Sequence, residues 1–312
     1  MDRAGKIIGV DYAHEKSIRG RDVGIVFLDT GLCASHPDFQ RNNKIEVFQD
    51  FVGKKISCYD DNGHGTHVAG IASGIGMAQS GKYCGVAPES RLIILKILDQ
   101  KGNGTIPNVL TAVEWILKNR KKHKIQIANI SIGTGKEAEK DEKSELVEAV
   151  NALWDSGIIV CVAAGNNGPE PGSIGSPGIS RKVITVGACD DNQAVYLNGK
   201  YLKNYSGRGP TRECIKKPDL VAPGSNIVSC SHLWNVKSGF SIMKYSSNGA
   251  YVVKSGTSMA TPMVSGAVAL LLDKYPEMTN REVKIRLKST VKDLGLPKEF
   301  QGWGRLDLKN MF

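Results

Sequence analysis

The chain has 312 residues, of which 41% are hydrophobic, enough to bury a sizeable core as one large α/β domain or two smaller ones. Its formal net charge is +10, but the basic residues are spread along the chain. The densest basic run, Lys118 to Lys124, ends a predicted helix, where cations suit the dipole, so nucleic acid is excluded as a partner.

No run reaches the roughly 18 apolar residues of a membrane span, and the N-terminus has no long apolar stretch of the kind a signal peptide carries. The seven cysteines are odd in number and scattered, with no C-x-x-C pair. That pattern is no disulfide framework and fits a reducing compartment, hence a soluble cytoplasmic protein.

Taken in order, Gly24 to Leu28 reads as a buried strand ending at Asp29-Thr30-Gly31. A carboxylate there sits at the edge where open α/β sheets carry their sites, although a turn-capping Asp has the same signature. Asp60-Asp61-Asn62-Gly63-His64-Gly65-Thr66-His67 follows. Two histidines three apart would share a helix face. A zinc reading lacks the glutamate of H-E-x-x-H and a third ligand. The glycines flanking His64 mark a close backbone approach.

Strands are predicted at 91–98, 125–130, 158–164 and 183–188, and helices at 107–121, 141–156 and 281–289, the last behind candidate caps Thr279 and Asn280. Near-continuous apolar strands alternating with helices predict a mostly parallel sheet covered by helices on both faces, in a single domain. Asn198-Gly199 between β-rich arms predicts a hairpin, and 234–253 reads as a second irregular excursion.

Gly256-Thr257-Ser258-Met259-Ala260-Thr261-Pro262 opens a helix of small and apolar residues running to Leu272. A serine at a helix start lies among backbone N–H groups without intrahelical partners, next to donors for an oxyanion. Taken alone it reads first as an N-cap. Pro262 is expected within the first turn, where proline is tolerated.

Asp29, His64 and Ser258 form an acid, a base and an alcohol, the set that activates a serine nucleophile. Asp29-Thr-Gly, His64-Gly-Thr-His-Val-Ala-Gly and Gly256-Thr-Ser-Met-Ala-Thr-Pro, in that order, resemble the three signature blocks of the subtilisin-like serine proteases (peptidase S8). The resemblance runs from about residue 8 to the C-terminus. It implies a three-layer subtilisin-like fold, with insertions at about 191–205 and 231–253, and a catalytic triad of Asp29, His64 and Ser258.

Ala163-Ala164-Gly165-Asn166 resembles the family's oxyanion block, which implies that Asn166 and the Ser258 N–H bind the oxyanion. Ser131, Ile132 and Gly133 resemble the segment that pairs with an extended peptide or protein substrate. Ala164, Gly165 and Gly175 are then implied to line the pocket for the residue before the cut bond. No cofactor is implied for the chemistry.

Asp38 falls at the family's calcium carboxylate, but the loop from Gly74 to Cys84 has few oxygen ligands to accompany it. That loop resembles the intracellular bacterial branch, which implies protein turnover in the cytoplasm. A maturation protease for one precursor, or a non-catalytic peptide-binding scaffold, is the alternative. No residue pattern sets an oligomeric state.

Overall fold

The computed structural model describes residues 1–41, 43–133, 143–197, 199–234 and 249–312. Seven strands form one parallel sheet: β1 (Gly24–Asp29), β2 (Ile45–Asp50), β3 (Arg91–Lys96), β4 (Ile125–Ile130), β5 (Ile159–Ala163), β6 (Ile184–Ala188) and, after a small hairpin of β7 (Val195–Leu197) and β8 (Lys200–Leu202), β9 (Leu220–Ala222). A second ribbon pairs β10 (Ile227–Cys230) with β11 (Tyr251–Lys254). The spatial order is β2-β3-β1-β4-β5-β6-β9. From β1 the chain goes to the edge strand β2, returns to β3 beside β1, and from β4 onward winds outward on the other side. The crevice at such a reversal, outside the carboxyl ends of the strands, is where open α/β sheets bind ligands.

The helices are α1 (Asp2–Ile8), α2 (Val10–Glu15), α3 (His64–Ser73), α4 (Ile106–Asn119), α5 (Glu145–Asp155), α6 (Thr257–Lys274), α7 (Asn280–Thr290), α8 (Lys298–Gln301) and α9 (Leu308–Met311). Helices α3 and α6 pack on each other, α6 also lies along β4, β5 and β6, and α4 and α5 pack together with α5 against β5. The central strands β1, β4, β5 and β6 are buried nearly throughout, as expected when helices cover both faces.

Most predicted elements are present within two or three residues of their expected bounds. The cap of α7 is Thr279, which accepts the Glu282 N–H while Glu282 returns a bond to the Thr279 N–H. Asn280 is instead inside the helix, donating to the Trp154 carbonyl at 2.6 Å. The Asn198 corner and most of 234–253 lie outside the described residues, as does the start of the helix expected at 141–156; Tyr251–Lys254 is a strand.

Helix α6 is the core of the molecule. From Met259 to Leu272 every residue is buried, so this helix is apolar all round rather than amphipathic. Removing a side chain there leaves a cavity that its packed neighbours cannot fill. Leu270→Ala is expected to lower the unfolding free energy by about 2–5 kcal/mol. Urea denaturation followed by circular dichroism measures it.

Candidate active site

Three strands of the sheet end at one place. β1 ends on Asp29, β4 runs into Ser131 and β5 runs into Ala164-Gly165-Asn166. Helix α3 begins on His64 and helix α6 carries Ser258 as its second residue. Parallel pairing aligns the carboxyl ends, and each connection returns a helix start to the same rim.

His64 Nδ1 lies 2.7 Å from Asp29 Oδ1. The same oxygen accepts the Thr30 N–H at 2.8 Å, and Asp29 Oδ2 is buried with no partner among the described residues. Because a carboxylate only accepts, Nδ1 carries the proton and Nε2 is left as the basic nitrogen. Gly65 makes the approach possible. A Cβ on Gly65 would lie 2.2 Å from the Gly31 carbonyl oxygen and 3.2 Å from Asp29 Cβ.

A second carboxylate holds the turn before His64. Asp60 Oδ1 accepts from the Thr30 hydroxyl, Asn62 N–H and Gly63 N–H, and Oδ2 accepts from the Thr66 N–H and hydroxyl. Burial pushes the Asp60 carboxyl up, but these hydrogen bonds outweigh it and hold the group below its ordinary value. Beneath it, the fully buried Lys96 amine donates to the Thr30 and Leu98 carbonyls and to Asp61 Oδ1 at 2.7 Å. Both ends of the Asp29–His64 pair are thus tied to the rim of the sheet. Sequence reasoning quoted Asp60 without giving it a role and missed Lys96. The signal for Asp60 was a carboxylate three residues before a glycine in a turn that opens a helix.

His67 is fully buried, and its Nε2 lies 3.0 Å and 3.1 Å from the Ile227 and Val252 carbonyls. Burial, reinforced by Lys254 and His64, holds it well below the ordinary imidazole value, so it stays neutral and structural. It shares no ligand geometry with His64, which turns to Asp29.

Ser258 Oγ donates to the Ser131 carbonyl at 2.9 Å, and no hydrogen bond joins it to His64. Pro262 is the sixth residue of α6, not in the first turn as expected from the sequence. A proline there cannot donate to the carbonyl four residues earlier, which is that of Ser258. The freed carbonyl instead accepts from Ser131 Oγ at 3.3 Å. Ser131 Oγ accepts from Asn129 Nδ2 at 2.9 Å, and Asn129 Oδ1 accepts from Ser265 Oγ at 2.9 Å. A buried polar chain therefore runs from the middle of α6 to the strand end that faces Ser258. Neither Ser265 nor this arrangement was visible as a sequence pattern.

Asn166 Oδ1 accepts the Thr257 N–H at 2.9 Å and the Thr257 hydroxyl at 3.1 Å. A backbone N–H only donates, so the amide orientation is set and Nδ2 is left free. The Ser258 N–H, at the second position of α6, has no intrahelical acceptor. Gly256 holds φ 134°, and a Cβ there would lie 3.2 Å from Asn166 Nδ2.

Gly175 N–H bonds the Ala164 carbonyl at 2.9 Å, and a Cβ on Gly165, at φ +88°, would lie 3.4 Å from the Gly175 nitrogen. Across from them, a Cβ on Gly133 would lie 3.7 Å from the Ser176 carbonyl oxygen. Alongside Ile132 and Gly133 a cavity of about 360 Å³ opens, with Leu98, Ile106, Val109 and Leu146 in its wall.

A model of the subtilase family (peptidase S8) matches residues 20–304. The chain belongs to that family. It is 42% identical over 281 residues to serine protease AprX of Bacillus subtilis (strain 168), an alignment covering 88% of this chain and 62% of AprX. It thus spans less than two thirds of that relative's length. To subtilisin DY of Bacillus licheniformis it is 33% identical over 291 residues, covering 93% of this chain and 90% of that protein. The solved structure of the S41 psychrophilic protease superposes with a TM-score of 0.75 at 32% identity, covering 93% of this chain and 92% of that one. This subtilase is thus of the subtilisin type, a class of serine proteases. Among the described residues no helix is long and apolar enough to cross a membrane.

The residues around Asp38 do not fit the calcium ion that its place in the family implies. Its Oδ2 accepts from the Gly76 N–H at 2.9 Å and the Cys230 thiol at 3.4 Å, and its Oδ1 accepts the Tyr251 hydroxyl at 2.9 Å. Donors with positive hydrogens stand where a hard cation needs oxygens. His36, Asp38 and Cys230 place ligand-type atoms within 4.8 Å of one another. Yet the Cys230 proton goes to Asp38, and His36 Nδ1 accepts the Asp38 N–H.

Two outcomes are expected from this geometry. Gly65→Ala should lower kcat/KM by about two orders of magnitude, because a displaced His64 no longer meets the geometry that proximity effects demand; steady-state kinetics on a chromogenic peptide measures it. Thermal unfolding should be the same in excess calcium and in excess chelator. A chelator-induced fall in Tm that disappears in Asp38→Ser would restore the calcium reading.

Proposed function

We propose that this chain is a serine endopeptidase in which Ser258 is the nucleophile, His64 the general base and acid, and Asp29 the group that orients His64. The observation that carries the reading is the 2.7 Å contact of Asp29 with His64 at the same rim as a serine in the first turn of α6. Rotation of Ser258 about χ1, from one staggered well to another, takes Oγ from the Ser131 carbonyl towards His64 Nε2. Such bonds commonly tighten only when substrate is bound.

His64 Nε2 then accepts the hydroxyl proton as Oγ attacks the peptide carbonyl. Asp29 remains ionised and stabilises the imidazolium. Asn166 Nδ2 and the Ser258 N–H donate to the tetrahedral oxyanion, in positions that require no reorganisation. The leaving amine takes the proton from His64. Water, activated by the same imidazole, releases the acyl group from Ser258.

The substrate is an extended peptide. Its backbone would pair with Ser131, Ile132 and Gly133, and the side chain before the cut bond would enter between Ala164-Gly165 and Gly175. The apolar cavity beside Ile132 supports a preference for a large apolar residue upstream of the cut. All seven cysteines are free, which supports a reducing compartment and protein turnover within it.

Ser258→Ala should keep the fold and lower kcat by roughly 10⁶, the loss that removing this nucleophile causes in subtilisin. Asn166→Ala should lower kcat by roughly 10²–10³ with little change in KM, again as recorded for subtilisin's oxyanion asparagine. Kinetics on a peptide substrate reads both, and a serine-directed phosphonate should label Ser258 alone. Retention of most activity in Ser258→Ala would refute the assignment.

A further inference from the structure

A cavity of about 780 Å³ opens at the opposite edge of the sheet from the catalytic rim. Asp22 precedes β1, Lys44 precedes β2 and Arg91 opens β3, so its floor is the amino ends of these strands. At a rise of ~3.3 Å per residue, the length of β1 puts this edge about 16 Å from Asp29. Ile75, Met77, Ser80 and Gly81 form another part of its wall. The volume is that of a small-molecule site, but the lining is not the mostly apolar one such sites carry. Five cationic side chains face two carboxylates.

The charges do not cancel by pairing. Glu89 takes both Arg19, at 2.9 Å, and Arg21, at 3.1 Å. Arg91 is engaged by Glu46 at 3.5 Å and by the Asp22 carbonyl. Arg41 is exposed and has no carboxylate partner among the described residues. Lys44 is the decisive group. It is 5% exposed, and its amine donates to the Pro88 and Ser90 carbonyls, at 2.6 and 3.0 Å. It has no carboxylate in contact, and one of its three N–H bonds remains.

Burial lowers the Lys44 pKa to about 8; Cys84, Glu89, Asp38 and Cys230 oppose that only in part. A buried cation facing a cationic cavity is held at a cost unless an anion relieves it.

We propose that this cavity binds a small multivalent anion of the phosphate class, held by Arg21, Arg41 and Lys44. Planar guanidinium forks match phosphate oxygens bidentately, and the ammonium supplies a point charge at the base. Multivalency is required because the ligand competes with Glu89 for Arg21. Ile75 and Met77 in that wall flank Gly76, whose N–H is held by Asp38, so a bound anion would also brace that loop.

The test uses inorganic pyrophosphate as probe and the full chain carrying Ser258→Ala, in metal-free buffer at physiological salt. Isothermal titration calorimetry should show one saturable site. Arg41→Ala should weaken binding by about tenfold, the worth of one charge-assisted hydrogen bond. Glu89→Gln should tighten binding by freeing two guanidinium groups. Lys200→Ala, an equal loss of charge on the β7–β8 hairpin, should leave it unchanged. Absence of saturable binding would overturn the proposal. So would equal weakening by Arg41→Ala and Lys200→Ala, since attraction to the overall +10 charge would then be enough.

Discussion

The hydrogen bond between Asp29 and His64 is the contact to which the neighbouring layers are fitted. It fixes the imidazole tautomer, and it exists only because the first turn of α3 can lie against the end of β1. Gly65 removes the Cβ that would strike the Gly31 carbonyl. Asp60 gathers five donors from Thr30, Thr66 and the turn before His64, and Lys96 ties the end of β1 to Asp61 from below. A half-buried carboxylate and a buried ammonium are costly without partners, and Asp60 and Lys96 are stable here because each is amply hydrogen-bonded.

On the Ser258 side the same rim is built from a helix defect. An interior proline ordinarily costs about 3 kcal/mol in a helix. In α6 the carbonyl that Pro262 leaves free is that of Ser258, and it accepts from Ser131, whose hydroxyl is held in turn by Asn129 and Ser265. The lost helical bond is replaced by one that fastens Ser258 to the strand end beside it. Thr257 plays a similar part for Asn166, using up its acceptor so that its donor is free.

The loop after α3 links two features that the catalytic chemistry does not use. Its Gly76 N–H satisfies the buried Asp38 carboxylate, which the neighbouring thiol and phenol complete. Its other face borders the basic cavity around Lys44. One segment thus satisfies Asp38 with a backbone donor on one side and, on the other, borders Arg41 and Lys44, which have no carboxylate in contact among the described residues.

The residues by themselves determined the layered α/β class and the long buried strands, and they singled out Asp29, His64, Asn166 and Ser258 as the candidate site. Continuous apolar runs and long local blocks are properties of sequence that survive without knowledge of partners. Strand β2 was not legible, because it is an edge strand, half exposed, whose pattern depends on what it pairs with. Helices α1 and α2 were missed as well; each is at most seven residues long, lacks a side-chain cap and is separated from the other only by Gly9. Only the tertiary structure decided that Pro262 frees the Ser258 carbonyl for Ser131, that Asp60 and Lys96 brace the His64 turn, and that Asp38 is ringed by donors. These arrangements join residues up to about two hundred positions apart, and a hydrogen bond depends on where a donor points in space, which no spacing along the chain encodes.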